Sequence, residues 1–308
     1  MAERSKAGKV ISRGSMHAAA RMHYLDGLPQ VEVARRMEVS TATVSRLLSL
    51  ARSEGIVRIE VVDLEENDDL GTRLAAALGL RAARVVESGR APALGAQVGA
   101  LIEEASPAPG SIVAVGWGRT VQSVISAGLP RCPDVVVVPA MGGMRETEAH
   151  FQINEFARRT ADAMGGEARL LYAPSMVSPE LLRLLSRDPQ IAALTSLWDR
   201  VDVALLGIGR FRAGLAGVDP GFAAREAEAA VGDVLRHYFD IAGREVGWPE
   251  EGNLVSMRRD QLRRVGLSIG VAVGPGKSDA ILGAARSGMI NALVTDAQVA
   301  ADLLDEVS

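Results

Sequence analysis

Two short stretches with helical spacing stand next to each other near the start of the chain. Apolar residues recur three or four positions apart in both: Val31, Ala34 and Met37 in the first, and Val44, Leu47 and Leu48 in the second. The segment 38–40 interrupts this period. Ser40 can cap the second helix, because its hydroxyl accepts an otherwise unpaired N–H of the first turn. The pattern therefore predicts two short helices joined by a tight turn.

The outward face of the second helix carries small or hydrogen-bonding side chains, one guanidinium and no acid: Thr41, Ala42, Ser45, Arg46 and Ser49. Such a face fits a DNA major groove of about 12 Å width, where side chains meet base edges and phosphates. The stretch thus predicts a helix-turn-helix, with candidate DNA contacts at Ser40, Thr41, Thr43, Ser45 and Arg46. An ordinary pair of helices in a helical domain is the alternative.

Glu38 occupies a turn position that often carries glycine, because the chain there tends toward positive φ. Glutamate fits either with some backbone strain or in a slightly longer turn. Upstream, the segment 17–26 has helical spacing and predicts a helix that braces the pair. Downstream, the segment 56–62 alternates between apolar and polar residues, which predicts a short strand or wing.

The remainder of the chain alternates short apolar runs with helical patterns. Seven runs predict strands: 83–87, 112–115, 135–138, 168–172, 203–206, 268–273 and 292–295. Each is continuously apolar, as expected for strands buried on both faces. Strands that alternate with helices imply a mostly parallel, doubly wound sheet, so the predicted fold class is α/β.

An acidic run at 63–69 separates the two patterns. It is either a linker or, as we prefer, the solvated N-terminus of a helix, where acids are favoured by the helix dipole. With 308 residues and 48% apolar content, the chain can bury a substantial core and divide into two domains, expected at 1–62 and 63–308.

The charge of the chain is distributed unevenly. The net charge is −4, yet residues 1–60 hold ten Lys and Arg residues against six Asp and Glu, and the rest holds 24 against 32. A basic N-terminal part on an otherwise acidic chain is typical of a protein whose nucleic-acid-binding surface is confined to one end.

The single cysteine, Cys132, excludes internal disulfides and any cysteine-based metal site, which suits a reducing cytoplasm. No apolar run approaches the roughly 20 residues needed to span a bilayer. The N-terminus also lacks the apolar core of a signal peptide. We therefore expect a cytoplasmic protein without a membrane segment, cofactor or metal.

Glycine-bearing loops follow four of the predicted strands, at the carboxyl ends where parallel sheets bind ligands. The first two loops supply the candidate ligand residues Gly116, Gly118, Arg119, Thr120, Gly142, Gly143, Gln152 and Asn154, and the third is the run 207–209. Glycine backbone followed by a helix N-terminus can bind an anion. Each loop alone is a weak signal, because glycine also simply ends strands and Asn154 is equally suited to cap a helix. Four glycine-bearing loops at one edge of one sheet are a much stronger signal of a ligand site.

The fourth loop, 274–278, places Lys277 at the N-terminus of a predicted helix over 279–286. The chain has only three lysines, and the other two, Lys6 and Lys9, lie in its basic N-terminal tail. Because the body otherwise uses arginine, a compact ammonium at this place favours a phosphate or sugar oxygen as its partner.

Stretches from both ends of the chain point to one family. They are LDGLPQVEVARRMEVSTATVSRLLSLARSEGIVRIEV, VGWGRT, VVPAMGG, QINEFARR, LLYAPSMVS, DVALLGIG, VGDVLRHYFDIAG and VGPGKSDAILGAARSGMINALVTDAQVAADLL. In this order, and over nearly the whole chain, they resemble the SorC-type (SorC/DeoR-like) sugar-responsive transcriptional regulators. The resemblance implies an N-terminal helix-turn-helix domain and a C-terminal effector domain similar to the sugar-phosphate isomerase and CoA-transferase fold.

The resemblance also implies partners and site residues. The partners would be double-stranded operator DNA, a small sugar or phosphorylated sugar, and further copies of the chain in a dimer or tetramer. The phosphate-binding positions would fall on Gly116, Gly118, Thr120 and Lys277, and the sugar-side positions on Gln152, Asn154 and Asp233.

A sugar-phosphate isomerase-like enzyme with an accessory helical domain is the competing class. An isomerase needs a base placed next to a carbonyl. The glycine loops offer binding groups rather than a proton-transfer pair, although Asp233 is a possible base. We therefore expect a regulator without catalytic residues.

Overall fold

The computed structural model describes residues 12–57, 64–87, 89–144, 152–211 and 228–307. Contacts divide the chain into two compact units, Met1–Val62 and Asp63–Ser308. Most of the strand or wing predicted at 56–62 lies outside the described residues.

Three helices make up the described part of the first unit: α1 (Arg13–Ala20), which continues as a π-helical turn (Arg21–Leu25), α2 (Gln30–Arg36) and α3 (Thr41–Ser53). The helix predicted to begin at His17 therefore begins earlier, at Arg13. The reason is a capping box, in which the side chains of Ser12 and Ser15 each accept a hydrogen bond from the other residue's main-chain N–H.

These helices enclose a small apolar core of Met16, Ala19, Ala20, Val33, Ala34, Val44, Leu47, Leu48 and Ala51. The buried face predicted for α3 is confirmed, since Val44, Leu47 and Leu48 are all almost inaccessible. Val31, three residues before Ala34, lies outside this core, since the residue is 70% exposed. The buried face of α2 is centred between Val33 and Ala34, which puts Val31 about 110° away round the helix axis.

The turn between α2 and α3 adopts the strained alternative. Glu38 has φ of 54°, a left-handed conformation that glycine adopts more easily. The main-chain N–H of Val39 donates to Ala34 O at 3.0 Å and so ties the turn back to α2. Ser40 caps α3 as predicted, because its Oγ accepts from the main-chain N–H of Thr43 at 3.1 Å.

All seven predicted strands are present in the second unit: β1 (Ala82–Val86), β2 (Ile112–Val115), β3 (Val136–Pro139), β4 (Glu167–Ala168), β5 (Val201–Gly207), β9 (Leu267–Val271) and β10 (Ala292–Asp296). They form one parallel sheet in the order β1-β10-β9-β5-β2-β3-β4. Only β4 is much shorter than predicted. Beyond it, the Asn154 side chain bonds both the N–H and the carbonyl of Leu171, so those groups need no strand partner.

Three further strands form a small antiparallel sheet that the sequence pattern did not predict: β6 (Gly209–Arg210), β7 (Gly232–Val234) and β8 (His237–Phe239). Strands of two or three residues are too short to show an alternating period. A two-residue turn joins β7 to β8.

Helices cover both faces of the parallel sheet. They are α4 (Leu64–Leu78), α5 (Ala91–Ala105), α6 (Arg119–Ala127), α7 (Ile153–Met164), α8 (Pro179–Leu185), α9 (Pro189–Thr195), α10 (Arg259–Arg264), α11 (Ser278–Ser287) and α12 (Ala297–Val307). Alternate residues of β2 enter separate cores: Val113 and Val115 pack with α5, α6 and α7, whereas Ile112 and Ala114 pack with α4, α11 and α12. The predicted doubly wound α/β class is confirmed.

Strands β2 and β5 are neighbours, but the chain leaves them in opposite directions, from β2 towards β3 and from β5 towards β9. Ligands in open parallel sheets bind outside the carboxyl ends of strands at such a switch point. In the described ranges, no helix combines the length and apolarity required to cross a bilayer.

Candidate functional site

A cavity of about 550 Å³ opens at the carboxyl ends of β2, β5 and β9. Residues from three segments, 117–120, 207–210 and 271–277, line it, together with Asp233 and Leu235 from the β7–β8 hairpin. This volume lies in the range of pockets that bind small organic molecules. The cavity therefore occupies the switch point of the sheet.

The N-terminus of α6 faces this cavity without a side-chain cap. Its N-cap residue is Gly118, whose φ of 124° suits glycine, and no side chain caps its first-turn N–H groups. Such N–H groups and the helix dipole together favour an anion. Within the described chain, neither the guanidinium of Arg119 nor the hydroxyl of Thr120 forms a hydrogen bond, so both can contact a ligand.

Lys277 enters the cavity from the loop that precedes α11. Its Nζ donates to the main-chain oxygen of Ile208 at 2.7 Å. Burial lowers the pKa of the Lys277 ammonium, Arg210 and Arg119 lower it further, and Asp233 opposes them. Three cationic side chains therefore lie close enough to influence one another, as expected where an anion is to bind.

Arg210 lies opposite Lys277 and was not among the predicted site residues. Its Nη1 donates to Gly276 O at 3.2 Å. Gly276 has φ of 71°, a conformation that favours glycine, and a Cβ there would lie 2.4 Å from this nitrogen, so a larger residue would displace the end of the Arg210 side chain. A signal for Arg210 was present, since it directly follows the glycine run 207–209 at the end of a strand.

Asp233 supplies the only carboxylate among the described residues of the cavity wall. Its Oδ2 accepts from the main-chain N–H of Arg236 at 2.9 Å. Burial raises the pKa of Asp233, and the hydrogen bond and charge of Arg236, with the charges of Lys277 and His237, oppose that rise. The resemblance implied this residue as a sugar-side position, and the structure places it beside Lys277.

The turn that carries Asp233 and Leu235 into the wall is strained. Leu235 and Arg236 both adopt positive φ, 52° and 66°, in a two-residue hairpin turn that usually carries Asn and Gly. The next residue, His237, anchors the hairpin, with Nε2 at 2.8 Å from Met257 O and Nδ1 at 3.1 Å from Glu251 Oε1. Strain of this kind persists where surrounding contacts over-determine it, often at ligand sites.

Five predicted residues are not among those described in the cavity wall: Gly116, Gly142, Gly143, Gln152 and Asn154. Gly142 packs so tightly that a Cβ would lie 2.5 Å from Pro174 O, and the N–H of Gly143 donates to Ala173 O at 2.9 Å. The Asn154 side chain forms hydrogen bonds with the main-chain N–H and carbonyl of Leu171. Gln152 is the exposed N-cap of α7. Gly142, Gly143 and Asn154 hold the chain near β3 and β4.

Gly116 supports the cavity from behind. Its N–H donates to Leu205 O at 2.8 Å, and a Cβ there would lie 3.2 Å from the Leu235 side chain. The structure therefore brings together Gly118, Arg119, Thr120, Asp233 and Lys277 of the predicted set. In the described residues, no cluster of His, Cys, Asp or Glu could hold a metal ion.

The outward face of α3 divides into two parts. Thr41, Ser45 and Arg46 are exposed, and no acid of the described chain pairs with Arg46. Ser40 and Thr43 instead bond each other, with their hydroxyl oxygens 2.8 Å apart. They set the start of the helix, where its first N–H groups emerge.

Comparison with known proteins identifies the family. The model of the family described as "Putative sugar-binding domain" matches residues 62–305. The sorbitol operon regulator of Klebsiella pneumoniae is 32% identical over 304 residues, which covers 92% of this chain and 96% of that protein. The chain belongs to the SorC-type family of sugar-binding transcriptional regulators.

Two further likenesses extend over the chain. The deoxyribonucleoside regulator of Bacillus subtilis (strain 168) is 28% identical, covering 94% of this chain and 96% of that protein. The crystal structure of the full-length sorbitol operon regulator SorC from Klebsiella pneumoniae aligns with a TM-score of 0.70 at 31% identity, over 95% of this chain and all of that one. Because these relatives are transcriptional regulators, the expectation of a regulator rather than an isomerase-like enzyme is confirmed.

Proposed function

We propose that unit 1–62 binds operator DNA and that a phosphorylated sugar bound in unit 63–308 controls this binding. The cavity at the switch point carries the proposal, because Arg119, Arg210 and Lys277 meet there at the uncapped N-terminus of α6. Three cations outnumber the single carboxylate of Asp233, so the site has an excess of positive charge. A phosphate monoester is the common sugar substituent that matches such a site.

The phosphate would meet the N–H groups at 118–120, the Thr120 hydroxyl and Lys277. An ammonium has three donors, so Lys277 can keep its bond to Ile208 O and still donate to the phosphate. Charge-assisted hydrogen bonds of this kind contribute about 1.5–3 kcal/mol each. The sugar hydroxyls would then lie towards Asp233.

In the first unit, α3 would enter the major groove. Ser40 and Thr43 order its first turn, whose N–H groups and dipole suit a DNA phosphate. Thr41, Ser45 and Arg46 are exposed on the same helix, and Arg46 has the geometry to read a guanine or to hold a phosphate. With a single cysteine the chain forms no internal disulfide, which suits a regulator that acts on DNA in the reducing cytoplasm.

A single helix-turn-helix reads only one half-site, and specific operators pair half-sites about one helical turn, or a multiple of it, apart. The protein would therefore act as a dimer or tetramer. A ligand that changes the spacing of the paired recognition helices changes operator affinity, which couples the two units.

Paired titrations of the full-length protein test this function. Calorimetry with pentoses, hexoses and their monophosphates identifies the ligand class, and fluorescence anisotropy on a duplex selected by the protein from a random pool measures DNA affinity. We expect a phosphorylated sugar to bind more tightly than its parent sugar and to change the DNA affinity. Equal binding of both forms, or DNA affinity that no sugar phosphate alters, would overturn the proposal.

A further inference from the structure

The imidazole of His237 lies between two hydrogen-bond acceptors. Its Nε2 is 2.8 Å from Met257 O, and its Nδ1 is 3.1 Å from Glu251 Oε1. A carbonyl oxygen and an ionised carboxylate both accept hydrogen bonds and donate none. A neutral imidazole carries one N–H, so it can donate to only one of them. Both contacts are hydrogen bonds only when the ring is the doubly protonated imidazolium.

Glu251, in the 3₁₀ turn Glu251–Asn253, is held in its ionised form. The same oxygen that faces His237 also accepts from Arg259, from Nη2 at 2.7 Å and from Nε at 3.2 Å. Burial alone would raise the pKa of Glu251, but the hydrogen bonds and charges of His237 and Arg259 bring it below its ordinary value. The carboxylate therefore has no proton to offer to Nδ1 of His237.

These contacts tie the β7–β8 hairpin to the chain that surrounds it. His237 and Arg259 are both buried, 7% and 8% exposed, and Arg259 Nη2 also donates to Tyr238 O at 3.1 Å. Two consecutive residues of β8 are thus fixed from outside the hairpin. Because the hairpin carries Asp233 and Leu235 into the cavity wall, the position of the wall depends on these contacts. We refer to the two hydrogen bonds of the His237 ring as the His237 clamp.

We infer that His237 is a positioning residue whose second proton closes the His237 clamp, and that the cavity binds its effector more weakly when that proton is lost. Histidine is the side chain whose charge ordinarily changes between about pH 5 and 8. The charged form is present at low pH and is lost as the pH rises through the titration of His237, which leaves a lone pair of Nδ1 facing the carboxylate of Glu251. The consequence for the effector rests on the proposed function, because it assumes that the effector occupies the cavity lined by the hairpin.

Other charged groups surround the His237 clamp. On the hairpin and on the elements packed against it they are Asp233, Arg236, Glu245, Glu251 and Arg259. Two groups of the cavity also titrate, since burial raises the pKa of Asp233 and lowers that of Lys277. A sugar phosphate has an ionisation of its own at about pH 6. All of these are shared by wild type and by variants of His237, so the difference between them isolates the imidazole.

Hydrogen exchange of the ligand-free, full-length protein measures the clamp directly. Mass spectrometry would follow the peptide that spans β7 and β8 at about pH 6 and about pH 8.5, corrected for the intrinsic exchange rate at each pH. Because a charge-assisted hydrogen bond is lost, protection of this peptide in the wild type should fall by about tenfold over that range. In His237→Gln, which keeps a donor for Met257 O but no titrating ring, protection should change by about twofold or less.

Glu251→Gln separates a proton-dependent clamp from a histidine that only fills space. The amide of this variant can donate to Nδ1 of a neutral ring, while its oxygen can still accept from Arg259. The pH dependence of protection should therefore disappear although His237 is present. His17→Gln is the matched control, since it removes an exposed imidazole from α1 and should keep the wild-type pH dependence. Should Glu251→Gln fail to fold, His237→Gln and His17→Gln give the same decision.

Calorimetry measures the consequence for the effector. The ligand is whichever of fructose 6-phosphate, glucose 6-phosphate and ribose 5-phosphate binds, titrated from about pH 7 to about pH 8.5. We expect the affinity of the wild type, divided by that of His237→Gln at the same pH, to fall by about three- to tenfold over this range. The same ratio taken for His17→Gln should stay constant.

The two measurements separate this inference from the proposed function. Wild-type protection that does not change with pH overturns the inference, as does a pH-dependent loss that persists in His237→Gln or in Glu251→Gln. A ratio of affinities that stays constant with pH overturns the positioning role of His237. If no sugar phosphate binds, the proposed function fails, whereas exchange in the ligand-free protein still decides whether the second proton of His237 closes the clamp. A loss of protection and of affinity that depends on His237 but not on His17 supports the inference.

Discussion

Lys277 and Ile208 join two loops of the cavity through a hydrogen bond of 2.7 Å from the ammonium to the main-chain oxygen. A second hydrogen bond joins the same two loops in the opposite direction, from Arg210 Nη1 to Gly276 O at 3.2 Å. The loops after β5 and β9 thus hold each other through the two cationic side chains that we assign to the anion. The same residues form the wall and the binding groups.

Replacing Lys277 with alanine removes one of these groups. Because a charge-assisted hydrogen bond to phosphate contributes about 1.5–3 kcal/mol, Lys277→Ala should bind the phosphorylated sugar about ten- to a hundredfold more weakly. Affinity for the unphosphorylated sugar should hardly change. The variant should still bind DNA but respond less to the effector, as measured by calorimetry and by anisotropy on labelled operator.

Arg286→Ala is the control for this variant. Arg286 lies on the same helix, α11, is exposed, and bonds Ile241 O outside the described cavity wall. Loss of its charge should leave both affinities close to the wild-type values. An equal loss of affinity for sugar and sugar phosphate in Lys277→Ala would instead make the lysine a hydroxyl donor or a structural residue.

The DNA-binding role of α3 is tested at Arg46. Arg46→Ala should weaken operator binding by about 1–3 kcal/mol if the guanidinium reads a guanine, and by less if it holds a phosphate. Arg52→Ala is the control, since Arg52 is exposed in the last turn of the same helix. Full operator affinity in a folded Arg46→Ala protein would remove this face of α3 from the groove.

Two neighbouring glycines of the loop after β3, Gly142 and Gly143, differ in how tightly the chain packs around them. A Cβ on Gly142 would lie 2.5 Å from Pro174 O, whereas on Gly143 the nearest atom is 4.0 Å away. Gly142→Ala should therefore reduce the free energy of unfolding by about 1–3 kcal/mol, and Gly143→Ala should have little effect. Denaturant unfolding measures both. Equal stability of the two variants would contradict the packing role of Gly142.

The parallel sheet was predictable from the sequence because buried strands are continuous apolar runs. Strand β2 was predicted with its observed bounds, Ile112–Val115. The meeting of Thr120 and Lys277 followed from topology alone, since the carboxyl ends of parallel strands lie at one edge. Local period and chain connectivity were sufficient for both.

Other features depend on packing that a linear pattern does not carry. The strands of the β7–β8 hairpin are too short for a period, and its turn carries Leu235 and Arg236 where Asn and Gly are usual, so no turn signal exists. Glycine in a loop serves close packing as readily as ligand approach. The pattern therefore does not distinguish the two roles at Gly142, which was predicted as a ligand residue and packs against Pro174 in the structure.

Asp233 should make the ligand-free protein less stable at neutral pH. Burial raises its pKa above the ordinary value of 3.8, so the fold favours the protonated acid. The stability associated with the protonated form is fully present below that ordinary value and is lost as the pH rises through the raised pKa. Asp233→Asn removes the ionisation and keeps an acceptor for the N–H of Arg236.

We therefore expect Asp233→Asn to raise the free energy of unfolding at neutral pH by about 0.5–2 kcal/mol. The difference from the wild type should shrink as the pH falls through the raised pKa of Asp233, and it should be smallest below the ordinary value of 3.8, where the carboxyl is protonated in both the folded and the unfolded chain. Thermal melts of the two proteins across this pH range measure the effect, and other titrating groups cancel in the comparison. A difference that is independent of pH would show that the amide acts through packing rather than through the removed charge.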